Sequence, residues 1–389
     1  MEFRFTDEQE GFRRQLRDFL KQELPADRQM GEEAGSDEEW LFARQFQKKL
    51  AAHGWLVPHW PGQYGGADMG IMDQVIMREE MAYHRAPIPD IFGVNMLGPV
   101  LMLYGTDEQK RQHLPGISSG EVTWCQGYSE PASGSDLASL QMRAVRDGDD
   151  FVINGQKIWT SNAHRAGWIF VLARTDPEAP KHKGITFFLA PMSTPGISTR
   201  PLINLAGMHG FNEVFFEDAR VPAANIVGDE NRGWYVGAAL LDFERSGIGS
   251  AAAARRSVQD LARYCREAGG NGGLDPRARR LMAELAIESE LGRFLSYHVA
   301  SIQARGEVPN MEASAAKVYN SELMQRIAGA GVNIMGLYGQ VRPESKRWSR
   351  LRGEFAMSYM VSLGITIAGG TSEIMRNIIA QRGLGLPRG

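Results

Sequence analysis

The hydrophobic period changes twice along this chain. Between about residues 121 and 230, apolar residues fall in short β-rich runs, whereas on both sides they recur at helical spacing. "MRAVRDGDDFVINGQKIWTS" holds strand-like runs separated by Asp-Gly and Asn-Gly turn signals, and "WIFVLAR", "GITFFLAP" and "NEVFFEDARV" are further β-rich runs. This stretch predicts a small β-domain with mainly antiparallel pairing. Upstream, Thr6 with Gln9 forms a capping box ahead of Phe12, Leu16, Phe19 and Leu20, which share one helical face. Ser36 with Glu39 repeats the signature before Trp40 and Phe46, and Gly54 suits a C-terminal cap. Pro58, Pro61, Gly62, Gly65 and Gly66 then mark a loop. Downstream, "AAAARRSVQDLARYC", "RLMAELAIESELGRFLSYHV", "AAKVYNSELMQRIAGAGV" and "RGEFAMSYMVSLGI" predict long helices with short breaks, a bundle. "GGNGG" at residues 269–273 reads as a flexible loop. The expected fold is α+β, mainly α: an N-terminal helical domain over 1–120, a middle antiparallel β-domain over 121–230 and a C-terminal four-helix bundle over 231–389.

Composition narrows the function classes. The 389 residues are 43% hydrophobic and 23% charged, as in soluble globular proteins. A net charge of -3 gives no reason to expect a nucleic-acid or membrane-surface partner. The opening "MEFRFTDEQEGFRRQL" carries charges where a signal peptide needs an apolar core, and no run of about eighteen apolar residues occurs. Two cysteines, Cys125 and Cys265, read as small core residues of a reduced, cytoplasmic protein. There is no HExxH or Cys-x-x-Cys spacing, no Walker A loop, no GxGxxG after a strand and no GxSxG elbow. These absences point away from hydrolases, metal sites and nicotinamide enzymes.

Three segments carry chemistry. "GYSEPASGSD", residues 127–136, is rich in small and hydroxyl residues, and such a loop offers N–H and hydroxyl donors to a flat polar ring or a phosphate. Alone it is also ordinary loop composition. "KIWTSNA", residues 157–163, sets Trp159 beside Thr160 and Ser161; by itself such a Trp is more often a core anchor than the wall of a cofactor site. "IAGGTSEIMR", residues 367–376, breaks an apolar run with Gly369 and Gly370 just where Thr371 can start a helix. Glycines permit close approach of backbone to a ligand, and Thr371 and Glu373 suit helix capping.

Taken together, in this order and in a helix–β–helix frame, the segments resemble the acyl-CoA dehydrogenase superfamily. "GWLVPHWPGQYGG", "YGTDEQKRQHLPGISSGE", "YSEPASGSD", "NGQKIWTSNA", "VFFEDARVP" and "GGTSEIMRNIIAQRGLG" all look like family segments, and the resemblance covers essentially the whole chain. It implies bound FAD, an acyl-CoA substrate and an electron-transfer flavoprotein or similar acceptor. By resemblance, Gln126, Tyr128, Ser129, Gly134 and Ser135 line the flavin, with Ser135 also touching the thioester. Trp159, Thr160 and Ser161 lie against the far face of the ring. Asn333 matches a family glutamine that meets the FAD of a neighbouring subunit, and Thr371 and Glu373 match residues contacting the dinucleotide. A homodimer or homotetramer is implied.

The departures are as informative. Many members carry a glutamate base immediately before the Gly-Thr of the C-terminal turn, where this chain has Gly369. Isovaleryl-type and long-chain-type members resemble one another in carrying the base in a Glu-Arg pair on the first long C-terminal helix. Here "LLDFERSGIG" places Glu244 and Arg245 on that pattern, with Asp242 beside them. Glu244 is therefore the expected base, with Asp242, Arg245, Gly369 and Gly370 around the substrate. The family's Arg-x-x-Phe-Gly motif is missing from the matching "REAGGNG" at residues 266–272, and its Gly-x-Arg-x-Ser loop is altered to "GMHGFNEVFF". Similar losses occur in heteromeric dehydrogenases acting on steroid side chains, where a partner chain completes each FAD site; Arg277 or Arg279 are alternative holders of the pyrophosphate. The expected reaction is FAD-dependent dehydrogenation of an acyl-CoA to a trans-2-enoyl-CoA. The rivals are a flavin monooxygenase or oxidase on the same fold and a subunit that completes a partner's site.

Overall fold

The computed structural model describes residues 4–25, 36–87, 90–240, 247–268 and 275–387. Five helices precede the sheet: α1 (Asp7–Glu23), α2 (Asp37–Ala52), α3 (Ile71–Tyr83), α4 (Gly98–Tyr104) and α5 (Asp107–Ser118). Seven strands follow: β1 (Trp124–Gly127), β2 (Arg143–Asp147), β3 (Asp150–Ser161), β4 (Trp168–Arg174), β5 (Ile185–Pro191), β6 (Ile197–Ile203) and β7 (His209–Pro222). The helical pattern returns with α6 (Gly233–Leu240), α7 (Ile248–Ala268), α8 (Pro276–Ala304), α9 (Asn310–Met335), α10 (Glu354–Ile365) and α11 (Ser372–Ile378). Thus the fold is helical at both ends with a β-domain in the middle, as the period changes predict. Among the described residues no helix is long and apolar enough to cross a membrane.

Local signals explain the helix starts. Thr6 Oγ1 accepts from the Gln9 N–H while the Gln9 side chain accepts from the Thr6 N–H, so the capping box closes on α1. Ser36 Oγ accepts from the Glu39 N–H ahead of α2. Thr106 and Gln109 form a further box at α5.

The chain gathers into two compact units. One comprises residues 1–39, 69–87 and 245–389, the other residues 40–68 and 88–244. In the first, α7 to α10 pack around Leu261, Leu285, Leu323, Ile327 and Phe355. Helix α3 is pinned there by Arg85, whose guanidinium meets Asp260 at 2.9 Å and Glu354 at 2.5 Å. Helix α1 is pinned through a bidentate pair from Arg17 to Glu80 on α3, at 2.8 and 2.7 Å.

The second unit holds the sheet, in the order β1-β4-β2-β3-β7-β6 with β5 on β4. The long pairings are antiparallel; β1 runs parallel to β4, and β2 touches β4 in parallel at a single pair. Its core is built from Phe151, Ile153, Ile169, Val171, Phe188, Val214 and Phe216. One turn signal is corrected. Asp147 and Gly148 do turn the chain from β2 into β3, but Asn154 and Gly155 lie within β3. There Asn154 exchanges hydrogen bonds with Asp218, at 2.9 Å each way, opposite an extra residue in β7.

Candidate active site

Strand β3 is unusual in where it sends its side chains. Period-2 alternation buries Phe151, Ile153 and Lys157, which would also bury Trp159. Instead the ladder with β7 steps three residues on β3, Lys157 to Thr160, against two on β7, Val214 to Asn212. This bulge reverses the parity. Thr160 is buried, and Trp159 stands out with 59% of its surface exposed, its ring 5.9 Å from that of Phe211 in an edge contact. Trp159 has φ +60°, a left-handed conformation costing about 1–2 kcal/mol for a residue with a Cβ. Trp159 is therefore no core anchor. Among the described residues the hydroxyl of buried Thr160 has no partner, and Ser161 is half-buried.

The 126–136 segment is bound to this bulge by three contacts. The Ile158 N–H donates to Ser129 O at 2.9 Å. Lys157, wholly buried, donates from Nζ to Tyr128 O at 3.1 Å and to Glu130 Oε1 at 2.8 Å. Burial pulls the Lys157 ammonium down to about 8, against the charge and hydrogen bond of Glu130. Gln126 and Ser129 are half-buried, and Gly134 and Ser135 are exposed. The Tyr128 ring is buried, its hydroxyl donating to Gly237 O at 3.4 Å, and burial raises its pKa. Sequence reasoning missed Glu130 and Lys157: a strand lysine ordinarily reads as solvent-facing, although its odd position in β3 matches buried Phe151 and Ile153.

In the helical unit, the turn after α10 is built differently. Gly369 has φ +66° and a Cβ added there would meet nothing within 4 Å. Gly370 has φ +98°, and its Cβ would come within 2.4 Å of Met375 Cε. Lys317 on α9 holds the turn, donating from Nζ to Gly370 O at 2.6 Å and to Thr366 O at 3.4 Å. Thr371 Oγ1 caps α11 by accepting from the Ile374 N–H at 3.2 Å. Glu373 is exposed, and its carboxyl lies below its usual range through its own backbone N–H and the Thr371 hydroxyl. A cleft of about 560 Å³ opens here, lined by Gln325, Arg326, Thr366, Ser372, Glu373 and Arg376 among others. Asn333 is exposed near the end of α9, and Arg277 and Arg279 are exposed in the first turn of α8.

Asp242, Glu244 and Arg245 lie outside the described residues, as does the "GGNGG" loop. The structure thus brings the 126–135 and 159–161 segments together in one unit and Gly369, Gly370, Thr371 and Glu373 together in the other. Among the described residues no group of three or more His, Cys, Asp or Glu side chains is arranged to hold a metal ion.

A helical, β, helical chain with a presented indole and a glycine turn describes a class of fold. Comparison with known proteins identifies the family. The family model for the acyl-CoA dehydrogenase N-terminal domain matches residues 6–121, that for the middle domain residues 125–219 and that for the C-terminal domain residues 231–384. The chain is 36% identical to the acyl-CoA dehydrogenase FadE26 of Mycobacterium tuberculosis, over 100% of this chain and 99% of that protein. It is 36% identical to IpdE1 of the same organism, over 97% and 98%. Among solved structures it resembles the "Tcur3481-Tcur3483 steroid ACAD", with TM-score 0.91, 37% identity and full coverage of both chains. It also resembles the ChsE4-ChsE5 complex of Mycobacterium tuberculosis, with TM-score 0.90, 34% identity and full coverage of both chains. The chain belongs to the acyl-CoA dehydrogenase family, and it is an oxidoreductase of that type.

Proposed function

We propose that this chain binds FAD non-covalently and dehydrogenates a bulky acyl-CoA thioester between its α and β carbons, giving a trans-2-enoyl-CoA and passing the electrons to an electron-transfer flavoprotein. The observation that carries the reading is the match of all three family domains, in order, between residues 6 and 384. The residues present fit a flat polar heterocycle. An exposed indole backed by Phe211 offers a stacking face, the orphaned Thr160 hydroxyl lies next to it, and Gly134 and Ser135 present an open loop.

Bound FAD would supply the hydride acceptor. Trp159 and the 126–135 loop orient the ring, with Thr160 and Ser161 as hydroxyl partners and Thr371, Glu373 and Asn333 serving the dinucleotide. Glu244 is the base: its carboxylate takes the α-proton, for which a poorly solvated acid with raised pKa is suited. By the family resemblance, Asp242, Arg245, Ser135, Gly369 and Gly370 are the residues assigned to the substrate. Open space in front of Gly369, where other members carry a glutamate, favours a wide acyl group, and one solved relative is described as a steroid ACAD. A polycyclic acyl-CoA is the substrate class this supports. Anaerobic bleaching of the flavin by a panel of acyl-CoA thioesters of increasing bulk tests the reading. Bleaching by short straight chains alone would count against it.

A second reading concerns assembly. The ChsE4-ChsE5 structure is described as a complex of two named proteins, and this chain lacks the Arg-x-x-Phe-Gly motif. On this reading the chain pairs with a homologue that completes the FAD site. Light scattering and flavin content of the chain alone and with a co-encoded homologue separate it from a homodimer or homotetramer.

A further inference from the structure

The buried pair Lys157–Glu130 has no part in the chemistry just described, yet it stands behind both segments assigned to the flavin. Its contacts run in three directions. Lys157 Nζ reaches back to Tyr128 O and Glu130 Oε1. The Glu130 carboxylate reaches forward, accepting from the Gln141 N–H at 2.6 Å and the Met142 N–H at 3.0 Å, where the chain enters β2. Arg174, another cation whose charge reaches Glu130, donates to Ala138 O at 2.8 Å and Leu140 O at 3.3 Å on the same stretch. Both ends of the 130–142 excursion thereby meet at the Glu130 carboxylate, whose partner Lys157 lies two residues before Trp159.

A buried ion pair is weak evidence for stability, because apolar residues of similar volume often serve as well. Geometry is what this pair supplies. Trp159 occupies a left-handed backbone conformation, and such residues persist only where the surroundings over-determine them. The register shift that turns Trp159 outward begins at Lys157 itself. The hydrogen bond from Ile158 N to Ser129 O lies between the lysine and the indole, so loop and bulge share one anchor.

Resting on the flavin placement above, we infer that Lys157 and Glu130 are positioning residues for the cofactor face, setting the 128–135 loop and the Trp159 indole relative to one another. They touch neither ring nor substrate; they act through Tyr128, Ser129 and Trp159.

The test uses the full chain with added FAD, together with its homologous partner if FAD retention requires both. FAD affinity by fluorescence, visible circular dichroism of the bound flavin and thermal unfolding are measured for wild type, Trp159→Ala, Lys157→Met and the double variant Lys157→Met/Glu130→Gln. Lys157→Met is expected to weaken FAD binding about ten-fold or more, the scale on which losing a supporting partner weakens a metal site, and to change the flavin dichroism. The double variant removes both charges and is expected to unfold within about 5 °C of wild type while keeping the altered dichroism, a signature that a purely structural pair does not give. A folded Lys157 or double variant with wild-type affinity and dichroism overturns the inference. So does failure of all the Lys157 variants to fold, because the pair would then hold the β-domain as a whole. If Trp159→Ala also behaves as wild type, the flavin placement itself fails and the inference with it. If Trp159→Ala loses flavin and the pair variants do not, the placement stands and the inference alone fails.

Discussion

Trp159 is forced into a left-handed backbone conformation by its neighbours, whereas Gly369 and Gly370 take up the same region because they have no side chains. The first needs a β-bulge, a buried ion pair and a backbone hydrogen bond to hold it. The second has one lysine on two carbonyls. The difference follows from what each region offers. At the bulge a particular aromatic surface is presented, and presentation needs rigid support. At the turn it is empty space that is presented, and a glycine provides it with little scaffolding. The proposed base, Glu244, belongs to neither region.

The comparison can be broken or sharpened by four experiments. Glu244→Gln keeps the shape and removes the basic carboxylate, so flavin reduction by substrate should slow by about 10²–10⁴-fold, the usual contribution of general-base catalysis. FAD content and thioester binding should barely change; reduction at the wild-type rate would remove Glu244 as the base. Next in size is the acid stability of the unit that holds the turn. Burial alone would raise the Glu80 carboxyl, but hydrogen bonds from His84 and Arg17 and the charges of Arg17 and Arg13 outweigh it and hold it at about 2. Between pH 4.5 and 2 the unfolded chain therefore binds the extra proton. Stability present above pH 4.5 is lost as pH falls through that window, by about 3 kcal/mol. Glu80→Gln should be less stable than wild type at neutral pH and should lose this part of the acid dependence in denaturant titrations. A wild-type slope in the variant would mean that another carboxylate governs the limb.

Smaller effects distinguish the two regions directly. Trp159→Ala removes the stacking face and should weaken FAD binding about ten-fold, within the roughly 1–3 kcal/mol that an aromatic contributes per stacked base, with a shifted flavin spectrum. Equal occupancy and an unchanged spectrum would place the ring elsewhere. Gly369→Ala meets no atom but must adopt a positive φ, costing about 1 kcal/mol of stability. Its FAD affinity should match wild type, while reduction by bulky thioesters falls relative to slim ones. Equal loss for both would show that the turn senses strain and not substrate width.

Local features of this fold were legible in the sequence and non-local ones were not. The capping boxes at Thr6 and the cap at Ser36 depend on residues three apart, so the helix starts could be read directly. The β-domain and bundle follow from period alone. The exposure of Trp159 was hidden, because it depends on where β7 shifts against β3, some fifty residues away. Lys157 was hidden for the same reason: its partner Glu130 is 27 positions earlier, and nothing short-range distinguishes it from a solvated strand lysine. Asn154 and Gly155 carry a strong turn signal that tertiary pairing overrode. At the C-terminal turn the glycine pair was legible, but not the amine of Lys317, 53 residues before the carbonyl it holds.

The two irregularities between β3 and β7 have a combined consequence. Asp150 pairs with Pro222 and Ile153 with Ala219; Gly155 then pairs with Phe216, one step out of phase; and by Thr160 with Asn212 and Ser161 with Phe211 the original phase has returned. The first slip is an additional residue in β7 and the second an additional residue in β3, so they cancel. The second slip turns the indole outward, and the first lets the ladder end in the register in which it began. The indole is thus presented as a local detour in a pairing that is continuous at both ends.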